Sequence, residues 1–394
     1  TVGDAWEVCV ATEEWQEHMR HWLCDVWVRQ YGVTAQYIDQ IGCVTQTCHN
    51  AAHAHGAHAG LAGQGFVDIV RKVKEDARRT DPGYILGGEG IVDVLTPWVD
   101  YGLWVGSSAY TGEFFKYLIP ETHLSRELAN GGGSRYTLRA NHRADVALFN
   151  WFETAEAENE PVRRARAVVR PFVNRGRFMS DTGLTLDVWG NACWFLRADG
   201  DCTGAAINVH NLNPAEEGSV RLESPALRGS VRGVAVLEGG KLQALAIRQD
   251  GAGYIATTPA ARFASLVLVQ QASPENSLLV TARCEYGAAR DLLRVQVANL
   301  APEAQQVVIE ASALPEGVTL DAFTSVHRLA PGAVLDLPIA IHGIETLTWW
   351  HTIPVTVASG PTRITRTVFI APTLVNGSFA RDTNADNHPD GWGM

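Results

Sequence analysis

The chain has 394 residues, of which 46% are hydrophobic and 19% are charged, a composition typical of folded domains with sizeable cores. A net charge of -11, without a dense run of Lys and Arg, argues against nucleic acid and anionic membrane surfaces as partners. No apolar run approaches the roughly 18 residues of a membrane-spanning helix, so no membrane span is expected. The length predicts two to three domains.

Both ends of the sequence indicate a piece of a longer protein. The chain starts at Thr1, without a Met or a signal peptide, and stops at Met394 directly after a turn-rich acidic segment. We therefore expect targeting signals to lie outside this sequence, so their absence says little about the compartment.

The first periodic segment predicts a helix followed by a strand. Thr12 is placed as the N-cap, and Gly32 is expected to end the helix. The 3.6-residue period predicts one buried helical face, formed by Trp15, Met19, Trp22, Leu23 and Val26. A run of strand-forming residues, 33–38, then ends in the carboxylate of Asp39. Helix, short link and strand together are half of a βαβ unit.

The same pattern recurs further along the chain. A helix is predicted over 64–80, and the strand that follows it ends at Glu89. The apolar face of this helix is expected to contain Phe66, Ile69, Val70, Val73 and Ala77. The alternation of strands and helices continues with weaker sequence patterns. These predict an apolar run at 99–105, a strand or short helix at 114–120, a strand at 146–152 and a helix at 161–174. Four or five βα units are too few to close an eight-stranded barrel. We predict that residues 1–182 are the C-terminal part of a (β/α)8 TIM barrel.

From about residue 184, short alternating apolar runs separated by turn residues predict all-β structure. We predict a β-sandwich domain over 183–272 and an immunoglobulin-like sandwich over 277–372. Residues 373–394 are expected to be the truncated start of a glycan-binding module. The predicted fold is therefore multidomain, with a barrel segment followed by two all-β sandwiches.

Motifs at two predicted strand ends and next to them resemble those of a known family. The motifs ATEEWQE (11–17), DQIGC (39–43), a His-bearing loop and LGGEG (86–90) follow one another in that order. Over residues 5–180 this order resembles a family of bacterial secreted glycoside hydrolase-like proteins, related to the endo-α-N-acetylgalactosaminidases and, more distantly, to the α-galactosidases. The resemblance implies a (β/α)8 barrel, a secreted or cell-surface location, Asp39 as nucleophile and Glu89 as acid/base.

The two strand-end carboxylates also fit glycoside chemistry on physical grounds. In a (β/α) barrel the residues at the carboxyl ends of the strands line the active site. A retaining glycosidase needs one ionised and one protonated carboxyl group about 5 Å apart, and neighbouring strands lie about 4.8 Å apart. We therefore expect Asp39 and Glu89 to be catalytic. The structural alternative is that Asp39 caps a loop and Glu89 forms a salt bridge.

Five further residues are candidates for substrate binding. Gln40 follows the expected nucleophile, and Glu121 lies near a later strand end. His53 and His55, in the loop after Asp39, are expected to bind sugar hydroxyls. Trp98 is a candidate platform on which a sugar ring stacks, with core packing as the alternative.

The loop after Asp39 also allows a metal hypothesis, because zinc binds Cys and His. Its candidate ligands are Cys43, Cys48, His49, His53, His55 and His58. Closed zinc sites favour tighter spacing such as Cys-x2-Cys, which is absent here, so the sequence favours an exposed loop or sugar contacts. A metal-dependent hydrolase stays open as a third hypothesis.

The seven cysteines allow two disulfides in an oxidising compartment. Cys43 and Cys48 flank a short loop segment, and Cys193 and Cys202 flank an expected hairpin. Cys24 falls within the first helix and is predicted to be a buried thiol.

Oxygen-bearing side chains alternate near the C-terminus, as they do in calcium loops. The candidate calcium ligands are Asp382, Asn384, Asp386 and Asp390. The segment resembles the entry to secreted glycan-binding modules, with a plain Asx-rich turn as the alternative. A structural calcium ion is therefore expected here, and no cofactor is expected for catalysis.

The sequence as a whole predicts a retaining glycoside hydrolase that acts on α-glycosides in oligosaccharides, polysaccharides or glycoconjugates. A carbohydrate is the expected partner. The fragment is expected to be inactive alone, because the N-terminal barrel strands would be missing. The alternative is a non-catalytic carbohydrate-binding or cell-surface scaffold protein. The sequence specifies neither the sugar nor the oligomeric state.

Overall fold

The computed structural model divides into two compact units, Thr1–Asn159 and Glu160–Met394. It describes residues 8–39, 41, 48–55, 61–89, 94–104, 118–119, 123–127, 147–149, 156–188, 190–200, 202–287, 290–322 and 324–371. In these residues no helix is long and apolar enough to cross a bilayer. Gln40, Cys43, His58, Glu121 and the predicted calcium ligands lie outside the described residues. The four predicted domain limits remain predictions.

The first unit is an α/β arrangement with a parallel sheet. Its elements are α1 (Glu13–Arg20), a π-helix (His21–Gln30), β1 (Ala35–Ile38), α2 (Leu61–Thr80), β2 (Ile85–Glu89), β3 (Tyr101–Trp104), β4 (His123–Glu127) and β5 (Ala147–Phe149). The five strands lie side by side in chain order, and every neighbouring pair is parallel. The α/β prediction is confirmed at this level. The sheet is open in the described part of the chain, so a closed barrel is not observed there.

The ends of the first helical segment follow the sequence prediction in part. Thr12 has extended backbone angles before α1, but its hydroxyl accepts no hydrogen bond from a helix N–H and instead donates to the Cys9 carbonyl (2.9 Å). Gly32 has a φ of +69° and its N–H donates to the Val28 carbonyl at 3.0 Å. Glycine adopts this left-handed conformation without the steric penalty that a Cβ brings, which explains how the segment ends there.

The predicted buried face of this segment is wrong at Trp22, which is 47% exposed. Residues His21–Gln30 form a π-helix, whose i→i+5 hydrogen bonds give more residues per turn than an α-helix. The buried positions therefore shift to Cys24 and Val28. The prediction of a buried Cys24 thiol is confirmed, and this burial raises the pKa of Cys24 to about 12.

The core of the first unit lies between the helices and one face of the sheet. The predicted apolar face of α2 is confirmed, since Ile69, Val70, Val73 and Ala77 are buried and Phe66 packs against them. Tyr84 and Leu86 contribute from the strand side, and both are fully buried. Burial of these apolar side chains holds β2 against α2.

A network of arginines and carboxylates joins the three helical segments. Asp76 of α2 has a buried carboxylate that accepts hydrogen bonds from Arg20 of α1 (2.9 Å) and Arg29 of the π-helix (2.7 Å). Arg79 adds a third, at 2.5 Å. Burial by itself would raise the pKa of Asp76, but the bonds from Arg29, Arg79 and Arg20 outweigh it and hold the pKa well below its ordinary value. The helices are thus connected through one ionised carboxylate.

Most of α3 (Glu156–Val173) belongs to the second unit, where a first antiparallel sandwich follows it. Its strands are β6 (Arg177–Phe178), β7 (Leu184–Asp187), β8 (Gly190–Asp199), β9 (Cys202–Asn211), β10 (Gly218–Glu223), β11 (Arg232–Leu237), β12 (Leu242–Ala244), β13 (Ile247–Asp250), β14 (Gly253–Thr258) and β15 (Phe263–Gln271). One sheet has the order β13-β14-β10-β7 and the other β12-β11-β15-β9-β8-β6. Trp194, Ile207, Leu222 and Leu266 are fully buried in their shared core.

A second antiparallel sandwich follows. Its strands are β16 (Leu278–Glu285), β17 (Asp291–Asn299), β18 (Gln305–Ala311), β19 (Thr319–Leu320), β20 (Thr324–Leu329), β21 (Val334–His342), β22 (His351–Ser359) and β23 (Thr362–Ile370). The sheets have the orders β16-β17-β21-β19 and β20-β18-β22-β23, with Val280, Val295, Ile309 and Val355 fully or almost fully buried in their common core. The prediction of all-β structure after the α/β unit is therefore confirmed, and its immunoglobulin-like character stays a prediction.

Neither predicted disulfide is formed by the described cysteines. Cys48, Cys193 and Cys202 are all free thiols. In the β8–β9 hairpin Cys202 pairs with Asp199 whereas Cys193 pairs with Asn208. A strand advances about 3.4 Å per residue, so six residues along the hairpin separate the two cysteines by far more than a disulfide spans.

The Asp76 network predicts a pH-dependent contribution to stability. Asp76→Asn should lower the free energy of unfolding of the first unit by about 1–3 kcal/mol at pH 7. This loss is smaller than for a fully buried ion pair, because the arginines are partly exposed to solvent. A depressed pKa gives stabilisation that is fully present above the unfolded value of about 3.9 and lost as the pH falls through the folded value. The difference between wild type and variant should therefore shrink below about pH 4.

Hydrogen exchange over α2 measures this effect locally, and β9 in the second unit should not change. Asp68→Asn is the matched control, because Asp68 pairs with Arg71 on the exposed side of the same helix. The control should cost less than about 0.5 kcal/mol. Equal effects of the two substitutions would contradict a special role for Asp76.

Candidate functional site

The register of β1 and β2 decides where the two predicted catalytic residues lie. Ala35 pairs with Ile85 and Ile38 with Gly88, in parallel. Asp39 directly follows Ile38 and Glu89 directly follows Gly88, so one further step of the same register sets the two carboxylates side by side. Both are at the carboxyl ends of their strands, the edge at which α/β folds bind ligands.

Both carboxylates belong to the face of the sheet that the helices do not cover. Side chains alternate along a strand, and in β2 Leu86 is fully buried whereas Ile85 is 46% exposed. A Cβ built on Gly88 would meet Ile41 Cγ2 of the helix-side core at 2.7 Å. Glu89 therefore shares the uncovered face with Ile85 and Gly87. By the same alternation Asp39 lies opposite the buried Ile38, and Asp39 is exposed while Glu89 is half-buried.

The side chain of Tyr101, on the neighbouring strand β3, lies on this same face of the sheet. Tyr101 pairs with Gly87, and its ring lies where a Cβ of Gly87 would be, with Cζ at 2.1 Å. Glycine at position 87 is therefore required for the ring to lie across β2 on this face of the sheet. Burial raises the pKa of the Tyr101 hydroxyl, so it remains a neutral donor near pH 7.

Three of the residues predicted to bind substrate lie in the described part of the chain: His53, His55 and Trp98. Trp98 packs against the apolar core of the first unit, in agreement with the core-packing alternative. His53 and His55 lie in a cluster with two cysteines. The site assignments themselves remain predictions.

The cluster consists of Cys9, Cys48, His53 and His55, and their ligand atoms all lie within 4.8 Å of one another. Cys9 Sγ is 3.2 Å from His55 Nε2, and Cys48 Sγ is 3.3 Å from His53 Nδ1. The two imidazole rings meet edge to face with centroids 5.4 Å apart. Two thiols and two imidazoles around one point form a donor set that binds zinc.

Sequence reasoning missed Cys9 because it lies before α1, far from the His-rich loop. Burial raises the pKa of the Cys9 thiol, with a further contribution from the neighbouring Cys48. Cys9 is therefore protonated near neutral pH unless a metal displaces the proton. The only signal in the sequence was the presence of an additional cysteine in the same predicted unit.

A separate cleft of about 810 Å3 in the second unit is lined by α3, β16 and β23. Arg164, Arg170, Arg283 and Arg366 are among its lining residues. Burial lowers the pKa of Arg366, whose Nε donates to the Val280 carbonyl at 3.0 Å. Glu275 also lines the cleft, and none of the described residues predicted for the site does.

The first unit matches a family model. The model, described as a domain of unknown function, DUF6259, matches residues 3–123. This range contains Asp39, Glu89 and all four residues of the Cys/His cluster. No curated protein sequence matches the chain.

Several solved structures resemble the chain at low identity. Amy13B from Eubacterium rectale is 12% identical, with 67% of this chain and 64% of that chain covered and a TM-score of 0.41. CelM2, a bifunctional glucanase-xylanase from a metagenome library, is 10% identical, with 65% and 68% covered and a TM-score of 0.33.

The endo-fucoidan hydrolase MfFcnA4 of glycoside hydrolase family 107 is 9% identical, with 95% and 61% covered and a TM-score of 0.21. The chain thus spans less than two-thirds of Amy13B and MfFcnA4. TM-scores below 0.5 do not establish a shared fold.

The effects of substitutions at Gly87 and Tyr101 on stability should depend on each other, because the tyrosine ring lies against the glycine. Gly87→Ala should displace the ring and lower the free energy of unfolding by about 1–3 kcal/mol, because the added methyl overpacks the site. In a Tyr101→Ala background the same substitution should be nearly neutral. A double-mutant cycle in urea measures the coupling between the two positions.

Gly63→Ala serves as the control, because a Cβ on Gly63 of α2 has nothing within 4 Å. It should be neutral or slightly stabilising, since alanine favours a helix over glycine. A cost of Gly87→Ala that is unchanged by removal of the Tyr101 ring would contradict the packing described here.

Proposed function

We propose that this chain carries the catalytic pair of a retaining glycoside hydrolase, with Asp39 as nucleophile and Glu89 as acid/base. The observation that supports the proposal is the β1–β2 register, in which Ile38 pairs with Gly88. Adjacent positions on neighbouring strands are about 4.8 Å apart, close to the roughly 5 Å that double displacement requires. An inverting pair needs a wider gap for a water molecule.

The two carboxyl groups divide the chemistry between them. The ionised Asp39 attacks the anomeric carbon and forms a glycosyl ester, while protonated Glu89 gives its proton to the departing oxygen. Glu89, now a carboxylate, then takes a proton from water as that water attacks the same carbon. The ester breaks and Asp39 leaves as a carboxylate, so the product keeps the configuration of the substrate.

The order of the strands supports a barrel context for this pair. Five parallel strands that are adjacent in chain order are the arrangement found in a segment of a (β/α)8 barrel. A doubly wound sheet would instead show a crossover in the strand order. The uncovered face with Tyr101 and Glu89 then corresponds to the barrel interior. An α-glycoside substrate, a secreted location and calcium at residues 382–390 belong to the same proposal.

A carbohydrate-binding role without catalysis is the second candidate, favoured by an aromatic patch on the second sandwich. Trp349 and Trp350 are 67% and 55% exposed, and Phe369 is 66% exposed. The rings of Trp350 and Phe369 lie 6.0 Å apart, centroid to centroid. Exposed aromatic faces of this kind stack on apolar faces of sugars. This candidate predicts binding without turnover.

Kinetics of the full-length protein test the assignment of roles. Asp39→Asn should lower kcat by roughly four orders of magnitude or more, because an amide cannot form the glycosyl ester. Glu89→Gln should keep the first step for aryl glycosides with very good leaving groups, which need no proton. Its covalent intermediate should then accumulate, and azide should release it as a glycosyl azide of retained configuration.

Gln36→Glu is a matched control, because Gln36 lies on β1 with its side chain bonded to the Tyr84 hydroxyl, away from the carboxyl edge. Product configuration is read by NMR. Azide rescue of Asp39→Asn with retained product, and of Glu89→Gln only with inverted product, would exchange the two roles. Wild-type protein that binds glycans but cleaves no aryl glycoside would support the second candidate.

A further inference from the structure

The Cys/His cluster indicates a metal site that does not depend on the proposed hydrolase activity. We propose that Cys9, Cys48, His53 and His55 bind one structural zinc ion. The ion would join the segment before α1 to the connection between β1 and α2. His53 and His55 then serve as metal ligands rather than as contacts to a sugar.

The distances between the donor atoms fit a tetrahedral zinc ion. Zinc binds thiolate sulfur at about 2.3 Å and imidazole nitrogen at about 2.0–2.1 Å, so tetrahedral geometry separates the donor atoms by about 3.3–3.8 Å. The two Cys–His contacts, at 3.2 and 3.3 Å, are close to this range, and all four atoms lie within 4.8 Å. Contraction of the longer separations, with a slight widening of the two Cys–His contacts, brings the whole set into coordination distance.

The backbone already holds the Cys9 ligand in place. Thr12 N–H and the Thr12 hydroxyl both donate to the Cys9 carbonyl, at 3.1 and 2.9 Å. The buried side chain of Gln16 donates to the Val10 carbonyl at 3.2 Å. A Cβ on Gly65 of α2 would lie 2.6 Å from the backbone of Val10 and Ala11. The turn with Cys9 is therefore fixed by α1 on one side and by α2 on the other.

A local turn positions the two histidines. His53 N–H donates to the Asn50 carbonyl at 3.2 Å, and Ala52 N–H donates to the Asn50 side-chain oxygen at 3.0 Å. The Asn50 amide also contacts His53 Nε2 at 3.2 Å, which directs Nδ1 toward Cys48. Metal on Nδ1 requires the ring proton on Nε2, so the Nε2–H then donates to solvent while the Asn50 side-chain oxygen keeps its bond from the Ala52 N–H.

The donor set favours a structural ion over other uses of the same residues. With four protein ligands no coordination position remains for water, whereas catalytic zinc keeps one open. A Cys9–Cys48 disulfide is the competing outcome, because the two sulfur atoms also lie within 4.8 Å.

Metal analysis of the purified chain tests the proposal. Elemental mass spectrometry should find about one zinc per chain. Replacement by cobalt(II) should give thiolate-to-metal charge-transfer absorption together with the intense d–d bands of a tetrahedral ion. Cys9→Ser and Cys48→Ser should each lose most of the zinc and most of the charge-transfer intensity.

Two controls separate loss of a ligand from loss of the fold. His49→Gln changes an exposed histidine of the same segment outside the cluster and should keep full occupancy. Gly65→Ala removes no ligand but displaces the Cys9 turn, and it should weaken zinc affinity roughly 10- to 100-fold in a chelator competition. Circular dichroism of each variant verifies that the chain remains folded.

Three results would overturn the proposal. The first is a purified chain whose thiols are free but which binds neither zinc nor cobalt. The second is a cobalt spectrum without charge transfer from sulfur. The third is a Cys9–Cys48 disulfide in the peptide map of the unreduced protein. Loss of zinc that leaves glycoside turnover intact would support a purely structural ion. Turnover lost in Asp39→Asn with zinc retained would show that the two sites are independent.

Discussion

The parallel pairing of β1 with β2 is the constraint on which the functional account depends. Parallel neighbours end at the same edge of a sheet, so the register of four residue pairs fixes what meets at that edge. With Ile38 opposite Gly88, the next residues along the two strands are both carboxylates. A slip of one residue would send one carboxylate toward the helices. Register therefore decides whether Asp39 and Glu89 can share a substrate.

The helical layer and the small residues of β2 support that register. Apolar side chains of α2 cover one face of the strands, and the carboxylate of Asp76 joins α1, the π-helix and α2 through arginines. On the other face, Gly87 leaves room for the Tyr101 ring from the next strand. β2 is thus packed on both faces, so its carboxyl end is positioned by packing rather than by the loop that follows it.

Much of the fold was predictable from local patterns. The period of α2, the end of the first helical segment at Gly32 and the alternation of many later strands all have short-range causes. The pairing of the later strands, such as 253–258, 324–329, 334–342 and 351–359, was not predicted. Their polar and apolar residues reflect pairing with distant strands, which no local window contains.

The candidate site was predictable only in part, for the same reason. Asp39 and Glu89 were identified because a strand-end carboxylate is a local feature. The exposure of Trp22 could not be predicted, since a π-helix has no simple sequence signature. Cys9 joins His55 only through the tertiary fold, and the two hairpin cysteines are separated by a register that the sequence leaves open.

Cysteine cross-linking tests the adjacency of the two carboxylates most directly, without knowledge of the substrate. Asp39→Cys combined with Glu89→Cys should form a disulfide under mild oxidation, because neighbouring strand positions lie about 4.8 Å apart and a disulfide spans Cα separations of about 4.4–6.8 Å. Ala35→Cys with Glu89→Cys is the control, since four residues along a strand add about 13 Å. Peptide fragmentation spectra identify the bonded residues.

The account predicts the first cross-link and not the second. Two reactive thiols at positions 39 and 89 that fail to cross-link, or that cross-link no more readily than the pair at 35 and 89, would contradict it.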